Sequence, residues 1–199
     1  VTENPEEEFR RLLRKRYRHP DLAEEIDGEI VSRFETECAV MMTDSVGFTR
    51  GTRDRGIIHV MSLLLFHGEL LTPVVARNKG EVLKREADNI LAVFPSVVGA
   101  VDGARDMNRA LRQFNRDVDP GSRIQICIGI GYGPVLRVGM DVWGDEVNLA
   151  SKLGEDTAAA EEILLTTSAW EQVRGRYRFA GQQVVAAEGV PLKYYRLVE

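Results

Sequence analysis

The sequence predicts an α+β fold: a mainly antiparallel sheet with helices packed on one face. Three observations predict it. Short apolar runs end at turn residues, as at 38–42 and 90–94. Longer segments between them repeat apolar residues at helical spacing. The elements follow in the order strand, helix, hairpin, helix, strand, and then a mixed tail.

Residues 1–35 stand apart as a charge-dense stretch in which Phe9, Leu12, Leu13 and Tyr17 recur at helical spacing. This predicts a helical extension or linker with one narrow apolar stripe, either a transmitter helix or a solvated helix folded back on its own domain. Residues 36–199 form the main domain. Its first strand, 38–42, stops at Thr43, Asp44 and Ser45 before a turn at Gly47. A helix over about 57–79 follows, with Pro73 as its one awkward residue and Gly80 as its breaker.

Residues 82–84 and 90–94 read as the arms of a hairpin, with Asp88 at its tight turn. Val97, Val101, Ala104, Met107, Leu111 and Phe114 give a second amphipathic helix, and 125–131 a buried strand. A short helix over 147–153, a strand over 163–165, a helix over 168–174 opened by Ser168, and a hairpin of 183–187 with 192–197 complete the chain.

The 199 residues, 44% hydrophobic and 29% charged, fit one folded domain plus an extension. A net charge of -5 argues against nucleic acid as a partner. Cys38 and Cys127 sit in apolar runs without metal-type spacing, which predicts buried thiols in a reducing compartment. The longest apolar run, 57–66, is shorter than the roughly 20 residues of a membrane span. With no signal-peptide pattern, the expected location is cytoplasmic, and a sensor domain or tether outside this chain stays open. His19, His59 and His67 form no ligand cluster by spacing, and the latter two read as satisfied helix residues.

Asp44 and Asp88 carry the most information. Each ends an apolar strand at a turn, so neighbouring strands would bring two carboxylates together, and like charges at close range need a cation between them. Hard oxygen ligands suit Mg²⁺ or Mn²⁺. Either aspartate alone would more often be a simple turn residue.

Three ordered segments then join the two aspartates: residues 43–49 (TDSVGFT), 80–94 (GEVLKREADNILAVF) and 141–152 (DVWGDEVNLASK). Together they resemble the catalytic domains of the class III adenylate and guanylate cyclases. The resemblance runs over about 37–197, makes 36–199 the cyclase catalytic domain, and implies the class III nucleotidyl cyclase fold, with a palm-like antiparallel sheet of the ferredoxin type. It implies two metal ions, Mg²⁺ or Mn²⁺, held by Asp44, Asp88 and the carbonyl of Ser45. Lys84 and Asp141 would read the base. A cationic donor and an anionic acceptor match the N1 and 6-amino group of adenine, whereas the family uses a Glu/Cys-type pair for GTP. Asn148 would position the ribose, and Lys152 would stand where the family has its transition-state arginine.

The implied reaction converts ATP to 3′,5′-cyclic AMP and pyrophosphate in a homodimer with composite sites. One subunit would supply the metal aspartates, the other Lys84, Asp141 and Asn148. Trp143 and Gly144 would set and pack beneath the turn before the short helix.

Four features depart from the family pattern. Lys152 replaces an arginine, Glu188 stands at a usual lysine, Ala87 replaces a glycine, and only residues 136–140 separate the segment 133–135 from Asp141. They keep an alternative open: a weak or inactive regulatory domain that binds nucleotide. A purely structural interaction module leaves the joint presence of these residues unexplained. The Gly-Gly-(Asp/Glu)-Glu-Phe hairpin of the diguanylate cyclases is absent.

Overall fold

The computed structural model describes residues 4–46, 54–187 and 190–198. Gly47, Phe48, Thr49, Glu188 and Gly189 lie outside the described residues. The chain opens with α1 (Pro5–Arg18) and α2 (Ala23–Phe34), then β1 (Glu35–Ser45), α3 (Ile57–Arg77), β2 (Glu81–Glu86), β3 (Asn89–Phe94) and α4 (Val97–Phe114). It continues with β4 (Ile126–Val138), β5 (Asp141–Trp143), α5 (Asp145–Asp156), β6 (Ile163–Thr166) and α6 (Thr167–Val173). The short β7 (Arg178–Phe179), β8 (Gln183–Ala187) and β9 (Val190–Val198) close it.

The sheet order is β2-β3-β1-β4-β6-β9-β7, with β5 on β4 and β8 on β9. All pairings are antiparallel except β4 with β6. The first four strands, with α3 and α4 as crossovers, make the expected ferredoxin-type core. Ala39, Met41, Ile90, Ala92, Ile126, Ile128 and Ile130 point to one face, where Leu71, Val74 and Val75 of α3 and Ala100, Ala104 and Met107 of α4 bury them. α6 joins this layer through Ala169 and Val173.

One helix lies on the opposite face. Ala150 and Val147 of α5 pack with Cys38, Val40 and Val93. The cause is a stripe of glycines in β4. A Cβ on Gly131 would sit 2.5 Å from the Glu146 carbonyl, one on Gly129 would overlap the Ala150 carbonyl, and one on Gly154 would lie 2.6 Å from the Met42 carbonyl. Helix and sheet backbones therefore touch, and α5 can sit flat on β1 and β4.

α3 extends beyond the apolar run 57–66, and its 21 residues are long and apolar enough to cross a membrane. Here one face of its second half, carrying His67, Leu71, Val74 and Val75, is buried. The helix passes through Pro73 and ends at Arg77. Lys79, not Gly80, takes the left-handed conformation (φ 64°). Gly80 is needed instead because a Cβ there would overlap the ring of Phe94.

The N-terminal segment folds back. Asn4 caps α1 by accepting from the Glu6 amide at 3.1 Å, with Pro5 in the first turn. Phe9 and Leu12 pack with Ile26, Ile30 and Phe34 of α2 and with Val138 at the end of β4. Leu13 and Tyr17 are exposed, so the buried stripe is narrower than the spacing alone suggests. Thr166, rather than Ser168, caps α6, accepting from the Ala169 amide at 3.3 Å.

Candidate active site

Antiparallel register places the two aspartates at one end of the sheet. β1 pairs with β3 through Met42 with Leu91 and Thr43 with Ile90, and the Thr43 hydroxyl accepts from the Ile90 amide at 3.3 Å. Asp44 is thus the next residue on β1, while Asp88 sits in the turn that leads into β3. The Ser45 hydroxyl reaches the Asp88 carbonyl at 3.5 Å. Burial, and then the negative charge of Asp88, pushes the Asp44 carboxyl up to about 6. Glu155 adds to the same field.

The site therefore holds clustered negative charge and hard oxygen donors, which fits a small divalent cation. Asp44, Asp88 and the Ser45 carbonyl are the groups that would hold it. Among the described residues, no cluster of three or more His, Cys, Asp or Glu side chains could hold a metal. Ala87, before Asp88, has φ 50°. A methyl group in that left-handed conformation costs about 1 kcal/mol relative to glycine.

Lys84 and Asp141 come together in one ion pair. A register shift in β2 between Val82 and Lys84 turns Leu83 into the α5-side cluster and lets Lys84 pair with Leu91 on β3. Asp141 opens β5, which folds onto β4 through a tight turn at Gly139 (φ 59°) and Met140. The Lys84 ammonium is held above its ordinary range, first by its hydrogen bond to Asp141. A second pair, Arg137 to Glu81 at 2.6 Å, fastens the same arm to β2.

Asn148 and Lys152 lie one helical turn apart on α5. Asn148 is exposed, and the Lys152 ammonium donates to Asp156 at 2.6 Å. Trp143 does not pack beneath the turn before α5. It stacks on Phe9 of α1, with ring centroids 5.6 Å apart, because β5 is the outer strand of the arm and α1 covers it.

Glu146 is a residue that sequence reasoning missed. Its carboxylate accepts from the Tyr132 amide at 3.0 Å and from the Thr166 and Ser168 hydroxyls at 2.7 and 2.8 Å. It fixes α5 to β4, β6 and α6. An acid in the first turn of a helix is too ordinary a signal to single it out.

His67 differs from the expectation of a satisfied residue. It is buried, its Nε2 has no partner among the described residues, and burial lowers its pKa to about 4. Its ring is therefore neutral at pH 7. His59 lies 3.5 Å from the Ser122 hydroxyl. Cys38 and Cys127 are free and buried. Burial, followed by the charges of Asp44 and Glu162, pushes the Cys127 thiol up to about 11, which leaves it unreactive.

Three comparisons bear on this arrangement. The adenylate and guanylate cyclase catalytic domain family matches residues 30–198. Putative adenylate cyclase 3 of Rhizobium meliloti is 32% identical over 139 residues, covering 69% of this chain and 23% of that protein, so the chain spans under a quarter of that relative's length.

Among solved structures, the guanylyl cyclase Cya2 superposes with a TM-score of 0.74 at 22% identity, covering 82% of this chain and 92% of that one. The adenylyl cyclase CyaB from P. aeruginosa gives 0.70 at 22% identity, covering 83% and 95%. These two likenesses show the fold. The family match runs through both aspartate turns, the Lys84–Asp141 pair and α5, and this chain belongs to the adenylate and guanylate cyclase catalytic domain family.

Proposed function

We propose that this chain converts ATP to 3′,5′-cyclic AMP and pyrophosphate, working as a homodimer with composite sites. The observation that carries the choice of ATP is the Lys84–Asp141 pair. An ammonium donor beside a carboxylate acceptor matches the adenine edge, whose N1 accepts and whose 6-amino group donates. The guanine edge has the opposite polarity. Binding requires the two side chains to part and take the base between them.

Asp44, Asp88 and the Ser45 carbonyl would hold Mg²⁺ or Mn²⁺, up to two ions. Bound there, divalent cations lower the pKa of the ribose hydroxyl and neutralise phosphate charge. The chain's own part is positioning. Asn148 orients the ribose so that the 3′-oxygen lies in line with the α-phosphorus, and the Lys152 ammonium faces the phosphates. The bond from the 3′-oxygen to phosphorus forms as the bond to pyrophosphate breaks.

A second copy supplies the other half of each site. Ile57, Ile58, Met61 and Leu65 leave an apolar stripe exposed on the first half of α3, close in sequence to the Asp44 turn, and such a stripe favours burial against a partner. A second reading, slow turnover in a mainly regulatory domain, is favoured by the Lys152–Asp156 ion pair, which must loosen before lysine can face phosphate.

The test is incubation of the purified chain with ATP or GTP and Mn²⁺, reading cyclic nucleotide and pyrophosphate. Cyclic AMP in excess over cyclic GTP supports the proposal. Excess cyclic GTP would overturn the choice of base, and metal-dependent ATP binding without product would favour the regulatory reading.

A further inference from the structure

The sheet face that carries Asp44 also carries a side chain without an explained partner. Side chains alternate across a strand, so Met42 and Asp44 on β1 share a face, as do Leu91 and Asn89 on β3. Met42 and Leu91 are direct cross-strand partners. Two residues further along each strand, just past the last paired residues Thr43 and Ile90, Asn89 comes level with Asp44 on the same face, the face that α5 covers. On its other side Asn89 pairs with Glu86 of β2.

Asn89 borders a cavity of about 180 Å³ that reaches the aspartate pair through Glu155, whose charge acts on Asp44. Met42 and Leu91 form its apolar wall, and Lys84, Glu86, Asn89 and Glu155 its polar one. The Asn89 side-chain oxygen is shielded from solvent and accepts no hydrogen bond among the described residues. A buried amide oxygen left unpaired is destabilising, so it needs a compensating role. Leucine would fill similar volume without that cost.

An amide oxygen is a hard, neutral donor of the kind that joins carboxylates around a divalent cation. It is one strand away from Asp44, on the same face of the sheet. We propose that Asn89 supplies an additional oxygen ligand to the divalent cation held by Asp44 and Asp88. The inference rests on the carboxylate pair being a cation site, as in the proposed function. It explains why a polar residue, with its side-chain oxygen buried, occupies this position.

The test reads binding of Mn²⁺ alone, without nucleotide, by titration calorimetry and by the electron paramagnetic resonance signal of free Mn²⁺. The full chain is compared with Asn89→Leu, Asn89→Asp and Asp44→Ala. Asn89→Leu is expected to weaken Mn²⁺ about tenfold, the scale on which supporting ligands act. Its metal-free melting temperature should be at least that of the parent. Asn89→Asp, which keeps an oxygen in place and adds charge, is expected to bind Mn²⁺ at least as tightly as the parent.

Unchanged affinity in Asn89→Leu overturns the inference. So does equal weakening in Asn89→Leu and Asn89→Asp, since the amide would then act through its N–H groups. A fall in the metal-free melting temperature of Asn89→Leu, with no change in affinity, would show a structural role instead. If Asp44→Ala also leaves Mn²⁺ binding unchanged, the carboxylate-pair reading fails, and the inference fails with it. Loss in Asp44→Ala without loss in Asn89→Leu removes the inference alone.

Discussion

Phe9 of α1 stacks on Trp143 of β5, with ring planes 18° from parallel. Trp143 lies two residues beyond Asp141 and directly before the segment that starts α5, so the N-terminal helix is fastened to the arm that presents a proposed base-reading carboxylate. Phe34 holds the other side of Phe9 edge-on at 5.2 Å.

Truncating this contact should act on both stability and substrate. Phe9→Ala empties a buried aromatic site and is expected to cost about 3 kcal/mol. A loosened arm should also raise the KM for ATP more than it lowers kcat, since Asp141 binds rather than reacts. Chemical denaturation together with steady-state kinetics checks both. A stability loss with unchanged KM would mean that the arm holds its shape without α1.

Asp44 predicts a trade of stability for function. Its folded pKa, about 6, lies above its unfolded value. Its stabilising contribution is therefore present below the unfolded pKa and lost as pH rises through about 4 to 6. At pH 7 the carboxylate destabilises the metal-free chain. Asp44→Asn should raise its stability by something on the order of 1 kcal/mol, after allowance for water screening at a half-buried site. The difference between parent and variant should shrink toward pH 4. Thermal melts in chelator at pH 4 and 7 decide it, and activity should vanish in the same variant.

Ala87→Gly relieves a left-handed alanine at the hairpin tip. Glycine has more freedom to lose on folding, so the expected net gain is about 0.5 kcal/mol, with Mn²⁺ affinity unchanged or improved. Urea denaturation measures it, and a loss of stability would mean that the turn is adapted to alanine.

Exchanging the reading pair tests base choice. Lys84→Glu with Asp141→Cys should move preference from ATP toward GTP by at least tenfold in the ratio of kcat/KM. That corresponds to about 1.4 kcal/mol of differential binding, modest for a hydrogen-bonding site. An unchanged ratio would remove these residues from the specificity site.

Much of the candidate site was legible because its parts are local. A strand ending in Asp44 and a hairpin tip holding Asp88 are written in apolar runs and turn residues, and the third segment names Asp141, Asn148 and Lys152 in one stretch. What escaped depends on long-range contact. The alternating Gly129, Gly131 and Gly133 look like weak strand residues until α5 is seen lying on the first two. Gly80 reads as a helix breaker, yet the ring of Phe94 is what requires it. Trp143 found its partner in Phe9 at the other end of the chain. Asn89 draws no notice beside Asp88 until its oxygen is found buried and unpaired.

The most direct test of the account is complementation between two inactive chains, Asp44→Ala and Asn148→Ala, mixed under conditions that allow subunits to exchange and assayed for cyclic AMP. If each site draws its aspartates from one subunit and its asparagine from the other, each mixed dimer has one intact site and one doubly damaged site. With random exchange, about a quarter of parental activity returns, though neither variant is active alone. A mixture that exchanges subunits and stays inactive would contradict composite sites, and activity in Asp44→Ala alone would contradict the metal-dependent cyclase reading itself.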